Sequence, residues 1–164
     1  MAAALELERV SVTIDGRTVL RDLSWAVEDR QRWVVLGPNG SGKTTLLRVA
    51  SLYLHPTVGS VRVLGQAVGH LDVRALRPRI GLASAALADQ VRPQVSARDA
   101  VMTARFGALE AWWHTYDDAD RARAVDQPAR LGVAQLAQRE LGTLSSGEQQ
   151  RVLLARPLLP DPRL

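Results

Sequence analysis

Lys43 is the only lysine in a chain with 21 basic residues; all the others are arginine. It stands in the run GPNGSGKTTLLR, between Gly42 and Thr44. Gly37, Pro38, Asn39, Gly40, Ser41, Gly42, Lys43 and Thr44 fit the pattern G-x-x-x-x-G-K-[ST]. The residue types explain the spacing. Glycines let the backbone turn so that successive N–H groups point inward, and a helix starting there adds the positive end of its dipole. The result is a concave anion site. Lysine contributes a compact ammonium on a thin stem, whereas arginine's planar fork is too wide for such a nest. Chemically, Lys43 suits the β- and γ-phosphates of a nucleotide, and the Thr44 hydroxyl suits Mg²⁺. The bland alternative is a glycine-rich turn carrying an exposed lysine.

The anion reading requires a strand before the turn and a helix after it. Arg32–Gly37, RWVVLG, is a short continuous apolar run ending in glycine, which predicts a buried parallel strand. Thr45, Leu46, Leu47, Val49, Ala50 and Leu54 recur at helical spacing. Upstream, Leu5, Leu7, Val10, Val12 and Ile14 alternate with polar residues, the pattern of a half-buried strand. Asp15-Gly16 supplies a turn, and TVLRDLSWAV reads as the second arm of a hairpin. HPTVGSVRVLG carries a turn and another strand, and RPRIGLAS is a further strand candidate. From about Ala86 to Leu141 the apolar residues change to helical spacing, and Pro128 is expected in a first turn or at a helix break. Ser145-Ser146-Gly147-Glu148 then opens a helix running to about Leu159, with small capping residues and an early acid.

Composition narrows the class. The chain has 164 residues, 46% apolar and 23% charged, as expected of a globular protein with its own core. Formal net charge is +4, but the arginines are interspersed with acids, so the charge reads as a solvated surface rather than a nucleic-acid face. There is no cysteine, which excludes disulfides and thiolate metal sites. Glu6 and Glu8 interrupt any signal-peptide core, and no apolar run approaches the ~20 residues that span a bilayer. His55, His70 and His114 each read as an ordinary surface or core histidine. The expected location is cytoplasmic, reaching a membrane only through a partner.

With these elements placed, the chain resembles the ATP-binding subunits of ABC transporters along nearly all its length. Gly37–Leu47 is similar to the family's Walker A segment. Leu144-Ser145-Ser146-Gly147-Glu148-Gln149-Gln150-Arg151 resembles its LSGGQ signature, and Leu154-Ala155-Arg156 the sequel. Val10–Leu20 looks like its opening hairpin, and Pro56–Val61 like the strand after the Walker helix. The resemblance implies an α/β P-loop NTPase with a mixed or parallel sheet core, an N-terminal antiparallel β region and a helical subdomain. The corresponding divisions are 1–85, 86–141 and a signature helix at 142–164 returning to an incomplete core. It implies ATP and Mg²⁺ as cofactors, held by residues 37–44 with Thr45, and a head-to-tail pairing with a second ABC ATPase subunit. Ser145 and Gly147 would face that partner's γ-phosphate, with Ser146 and Glu148 beside them. Membrane permease subunits are the other implied partner.

Several positions depart from the family pattern. Ser146 replaces glycine, Glu148 replaces glutamine, and Ile14 stands where an aromatic residue stacks on adenine. Ala85 occupies the position of the Q-loop glutamine. Pro157 falls inside the signature helix, at an expected cost of ~3 kcal/mol. Leu159–Leu164 falls where the Walker B strand would begin, so the chain reads as the N-terminal two-thirds of an ABC ATPase, by truncation, gene decay or choice of fragment. It is an ATPase by resemblance, yet without Walker B and the catalytic glutamate it is expected not to turn over ATP alone. Of the adjacent pair Trp112-Trp113, one is expected in the helical subdomain's core and the other near its surface, where an exposed ring would be a candidate permease contact; the bland alternative places both in the core. Alternative readings are a soluble ABC ATPase without a permease, or a non-hydrolysing nucleotide-binding remnant. A P-loop kinase is disfavoured by the signature segment.

Overall fold

The computed structural model describes residues 3–69, 73–84, 91–106, 116–160 and 162–164. Two compact units are present, Met1–Val73 with Leu164, and Arg74–Arg163.

The first unit is built on a four-stranded sheet in the order β2-β1-β3-β4. Strands β1 (Ala3–Ile14) and β2 (Arg17–Glu28) form the expected hairpin, turning at Asp15-Gly16 where both residues have positive φ. Leu5, Leu7, Val10 and Val12 are all buried, although the first pair sits at odd positions and the second at even ones. Strict alternation would put one pair in water. A bulge at Glu8-Arg9 resolves the conflict: Arg9 has φ 49°, and the register with both neighbouring strands shifts there. Strand β3 (Val58–Val63) pairs antiparallel with β1, and Gly59 fits against the bulge. A Cβ on Gly59 would lie 2.5 Å from the carbonyl oxygens of both Glu8 and Arg9, and its φ is 94°. Only glycine meets both conditions. Strand β4 (Gln66–Ala67) closes the order. Helix α1 (Lys43–Ala50) buries Leu46, Val49 and Ala50, and it stops short of Leu54, with Ser51 as its C-cap.

Arg32–Gly37 departs from expectation. It forms no strand, and Trp33, Val34 and Leu36 are 55%, 80% and 86% exposed. Every described strand pairing is antiparallel, so the parallel strand expected here is not formed among the described residues. An apolar run becomes a buried strand only when neighbours supply its ladder, and no described strand does so.

In the second unit, a short α2 (Val73–Leu76) leads into a 3₁₀ turn at Arg77–Arg79. The strand expected across Arg77–Ser84 is absent; Ile80 is extended but lies in no ladder. Helices α3 (Ala97–Met102), α4 (Asp118–Arg130) and α5 (Ser146–Leu158) carry the core. Val101, Ala124, Val133, Leu141, Leu144, Val152 and Ala155 are among the side chains buried together there. Among the described residues of 86–141, helices and 3₁₀ turns lie at 97–106, 118–130 and 134–136. The division falls after Val73, however, rather than after residues 85 and 141. Two contacts account for this. The buried face of α5 shares one core with α3, and a Cβ on Gly81 would meet Pro157 Cβ at 3.2 Å and Pro162 Cγ at 3.1 Å.

Both prolines lie in last turns. Pro128 is neither in a first turn nor at a break; α4 closes two residues later, and the Pro128 carbonyl accepts from Leu131 N–H at 3.2 Å and Val133 N–H at 2.9 Å. Pro157 is followed by the final residue of α5, so the helical hydrogen bond it forgoes lies at a fraying end. No described helix is long and apolar enough to cross a membrane.

Candidate functional site

The start of α1 is left open by its own sequence. Its N-cap is Gly42, with φ 89°, no capping side chain and no acid in the first turn. The N–H groups of Lys43, Thr44 and Thr45 have no acceptor within the helix; the ladder begins with Leu46 N–H to Gly42 O at 2.8 Å. A helix start of this kind has the form of an anion site. Positive φ at Gly40 and Gly42 turns the loop, and Ser41 N–H donates to Pro38 O at 3.3 Å. The Lys43 ammonium reaches back across the loop, donating to Gly37 O and Pro38 O at 2.7 Å each. Its third donor remains for a ligand. Thr44 is exposed, and no described protein group bonds its hydroxyl. A hard-cation ligand beside an anion cradle fits a metal–polyphosphate pair.

Gly42 also fixes where the cradle sits. A Cβ there would lie 2.8 Å from Leu20 Cδ2 and 3.1 Å from Val19 O, so the helix start rests directly on β2. Ile14, at 38% exposure, ends β1 and pairs with Arg17, while Val12 pairs with Leu20. Strand register thus puts Ile14 at the same end of the hairpin as the residues under Gly42.

The second candidate segment begins α5. Residues 93–97 run antiparallel to 139–142, with Leu141 N–H to Val95 O at 2.9 Å and Gly142 N–H to Pro93 O at 2.8 Å. Gln149 Nε2 donates to Leu141 O at 2.9 Å and Leu144 O at 3.2 Å, tying the approach to the helix it enters. Ser145 is the N-cap of a complete capping box. Its N–H and its hydroxyl both donate to Glu148 Oε2, at 2.8 and 2.7 Å, and Glu148 N–H returns to Ser145 Oγ at 3.4 Å. These bonds, the hydroxyl first, hold the Glu148 carboxyl below its ordinary pKa, with help from Arg139 and Arg151. Gly147 faces open space on its Cβ side.

The structure gathers Gly37, Pro38, Ser41, Gly42 and Lys43 into one loop, and Ser145 and Glu148 into one cap. Ser146 and Gly147 are the first two residues of α5, and both are exposed. Ala85, His70, His114, Trp112 and Trp113 lie outside the described residues. His55 is exposed, and no metal-ligating cluster occurs among the described residues. Sequence reasoning missed Val19 and Leu20 as the platform under Gly42, and Gln149 as the tie before the cap. It also missed the burial of Arg156, which is 3% exposed and donates to Ala100 O at 3.1 Å and Thr103 Oγ1 at 3.4 Å. A polar amide in the first turn of α5 was the available signal for Gln149; Arg156 figured only within the run Leu154-Ala155-Arg156, with nothing to show its burial.

Both segments, the glycine-turned cradle before α1 and the capped serine before α5, lie within one matched family. The family model described as ABC transporter matches residues 20–164, and the chain belongs to that family. It is 38% identical over 161 residues to "Uncharacterized ABC transporter ATP-binding protein YlmA" of Bacillus subtilis, covering 98% of this chain and 61% of that protein. It is also 38% identical over 158 residues to the "Cobalamin import ATP-binding protein BtuD" of Halobacterium salinarum, covering 94% of this chain and 37% of that one. The chain thus spans about three-fifths of the length of the first of these relatives. Among solved structures, the dimeric form of MJ0796, "a Bacterial ABC Transporter Cassette", superposes with a TM-score of 0.81 at 23% identity. That superposition covers 96% of this chain and 70% of the cassette, and it establishes the likeness of fold.

Proposed function

We propose that this chain binds Mg²⁺-ATP in the loop 37–44 and serves as part of the ATP-binding subunit of a transporter. The observation that carries the reading is the cradle itself: an uncapped, acid-free helix start with the Lys43 ammonium held across it. Lys43 would neutralise the β- and γ-phosphates, Thr44 would ligate Mg²⁺, Thr45 would stand beside it, and Ile14 would offer an apolar surface to the base. Mg²⁺ held by Thr44 would supply further charge neutralisation at the phosphates. By the same reading Ser145 and Gly147 face the nucleotide of a second subunit, and hydrolysis belongs to the paired whole protein. Closure of the pair would act on a membrane permease, which places the subunit at the cytoplasmic membrane face. Relatives are named for different cargoes, cobalamin and phosphonates, in keeping with a subunit that does not itself choose the cargo.

The test is calorimetric titration of Mg²⁺-ATP into the parent and Lys43→Ala, with circular dichroism to confirm equal folding. The parent should bind and the variant should not. A Lys43→Ala protein that holds nucleotide as tightly as the parent overturns the assignment.

A further inference from the structure

Arg156 is 3% exposed, and a guanidinium is rarely shut away from water without acceptors set aside for it. Its Nε donates to Ala100 O at 3.1 Å and to Thr103 Oγ1 at 3.4 Å. Thr103, itself fully buried, donates to Ala100 O at 2.9 Å. These groups meet where α3 ends and the 3₁₀ turn Thr103–Phe106 begins, so a side chain of α5 is fastened to the backbone of α3. The start of α3 is fastened to the same arm of chain. Ala97 N–H donates to Arg139 O and Arg98 N–H to Ala137 O, at 2.9 Å each. The arm from Ala137 to Arg156 therefore leaves one end of α3 and returns to the other, and Ser145 lies in sequence between the two fastenings.

We propose that Arg156 is a positioning residue for α5: its Nε pins the helix to the end of α3 and so sets the direction in which the turn carrying Ser145 is aimed. This rests on the reading of Ser145 under Proposed function and names the residue that orients it. Apolar burial alone does not fix that direction. It is non-directional, and Ala100 and Ala155, beside the guanidinium, offer only methyl groups to interlock. A hydrogen bond is directional, and inside a core it is strengthened by the low local dielectric. With the pin removed, the backbone bonds between 93–97 and 139–142 become a pivot, about which α5 swings while its apolar face stays covered.

Side-chain lengths supply the test. Glutamine Nε2 is bonded to Cδ, as arginine Nε is, so Arg156→Gln keeps a donor at that position without the charge. Arg156→Met puts a methyl group there, and Arg156→Lys a methylene with the charge one atom further out. The chain has no cysteine, so nitroxide labels can be placed through Arg123→Cys on α4 with either Ser146→Cys or Leu158→Cys on α5, all at exposed positions. Label-to-label distances are read by double electron–electron resonance, beside the melting temperature and the Mg²⁺-ATP affinity of each variant. Both distance distributions should be narrow in the parent and in Arg156→Gln. Both should broaden in Arg156→Met, the one to residue 158 more, because it lies farther from the pivot. Arg156→Lys should broaden likewise, and it decides the matter if the methionine variant does not fold. Parent-like widths in Arg156→Met or Arg156→Lys overturn the proposal, whatever the melting temperature does, because a role in stability alone leaves the widths unchanged. Arg156→Gln as broad as Arg156→Met overturns it too. Nucleotide affinity should be the same throughout, since Lys43 belongs to the other unit. Failure of the parent to bind nucleotide would instead overturn the proposed function and leave the distances to decide the pin.

Discussion

Gly42 and Leu20 are in contact across two elements: a Cβ on Gly42 would approach Leu20 Cδ2 to 2.8 Å and Val19 O to 3.1 Å. The leucine methyl can yield, but the carbonyl cannot, and φ at Gly42 is 89°. Gly42→Ala therefore brings left-handed strain of about 1–2 kcal/mol together with a backbone collision. Relief requires α1 to move off β2 and the loop to open. Affinity for Mg²⁺-ATP is expected to fall about tenfold, equivalent to ~1.4 kcal/mol, as read by calorimetry. Unchanged affinity would show that the loop geometry does not depend on this contact.

Lys43→Arg keeps the charge and tests the shape. A single nitrogen now reaches two carbonyls at 2.7 Å each. A guanidinium spreads its donors over a planar fork and cannot sit between them in the same way. Nucleotide affinity should drop about a hundredfold while the melting temperature moves by less than about 2 °C. Wild-type binding by the arginine variant would remove the argument for a lone lysine.

Gln149→Ala removes the donor shared by Leu141 O and Leu144 O. The expected loss is about 1–2 kcal/mol in chemical denaturation, the scale of one side-chain amide with two acceptors. Amide exchange should quicken at residues 141–145 before it does elsewhere in the helical unit. Uniform acceleration would mean that Gln149 acts on the whole core.

The Ser145–Glu148 cap gives a pH dependence of known sign. Hydrogen bonds from Ser145 lower the Glu148 pKa in the folded chain relative to the unfolded one. Its contribution to stability is therefore complete above the ordinary glutamate value and is lost as pH falls through the lowered folded value. A carboxyl carbon titration by NMR should place Glu148 below the ordinary glutamate value, with first-turn amides of α5 following the same curve. Titration at the ordinary glutamate value would show the cap to be open in solution.

What could be read from the chain depended on whether its cause was local. The β1–β2 hairpin and the cap of α5 were legible because alternation, Asp15-Gly16 and Ser145–Glu148 act within a few residues. Lys43 was legible for the same reason. Arg32–Gly37 was not, because apolarity states only that a segment suits burial, whereas the ladder that buries it must come from elsewhere. The buried role of Arg156 was missed because its partners, Ala100 in α3 and Thr103 just after it, are distant in sequence. Val19 and Leu20 carry no chemical signature, and only the close approach of Gly42 gives them a role.

The exposure of Trp33 has an optical consequence. Its ring meets that of Trp25 on β2 edge to face, with centroids 5.7 Å apart and planes at 81°, while its Nε1 donates to Gln31 Oε1 at 3.0 Å. Two indoles this close and this inclined couple their transitions, and the pair stands just before the loop that begins at Gly37. A near-ultraviolet dichroic band should arise from it and disappear in Trp33→Phe. Since Trp33 is 55% exposed, its emission should also be red-shifted and open to quenching by iodide, so the difference between parent and variant reads the entrance to the loop without a label.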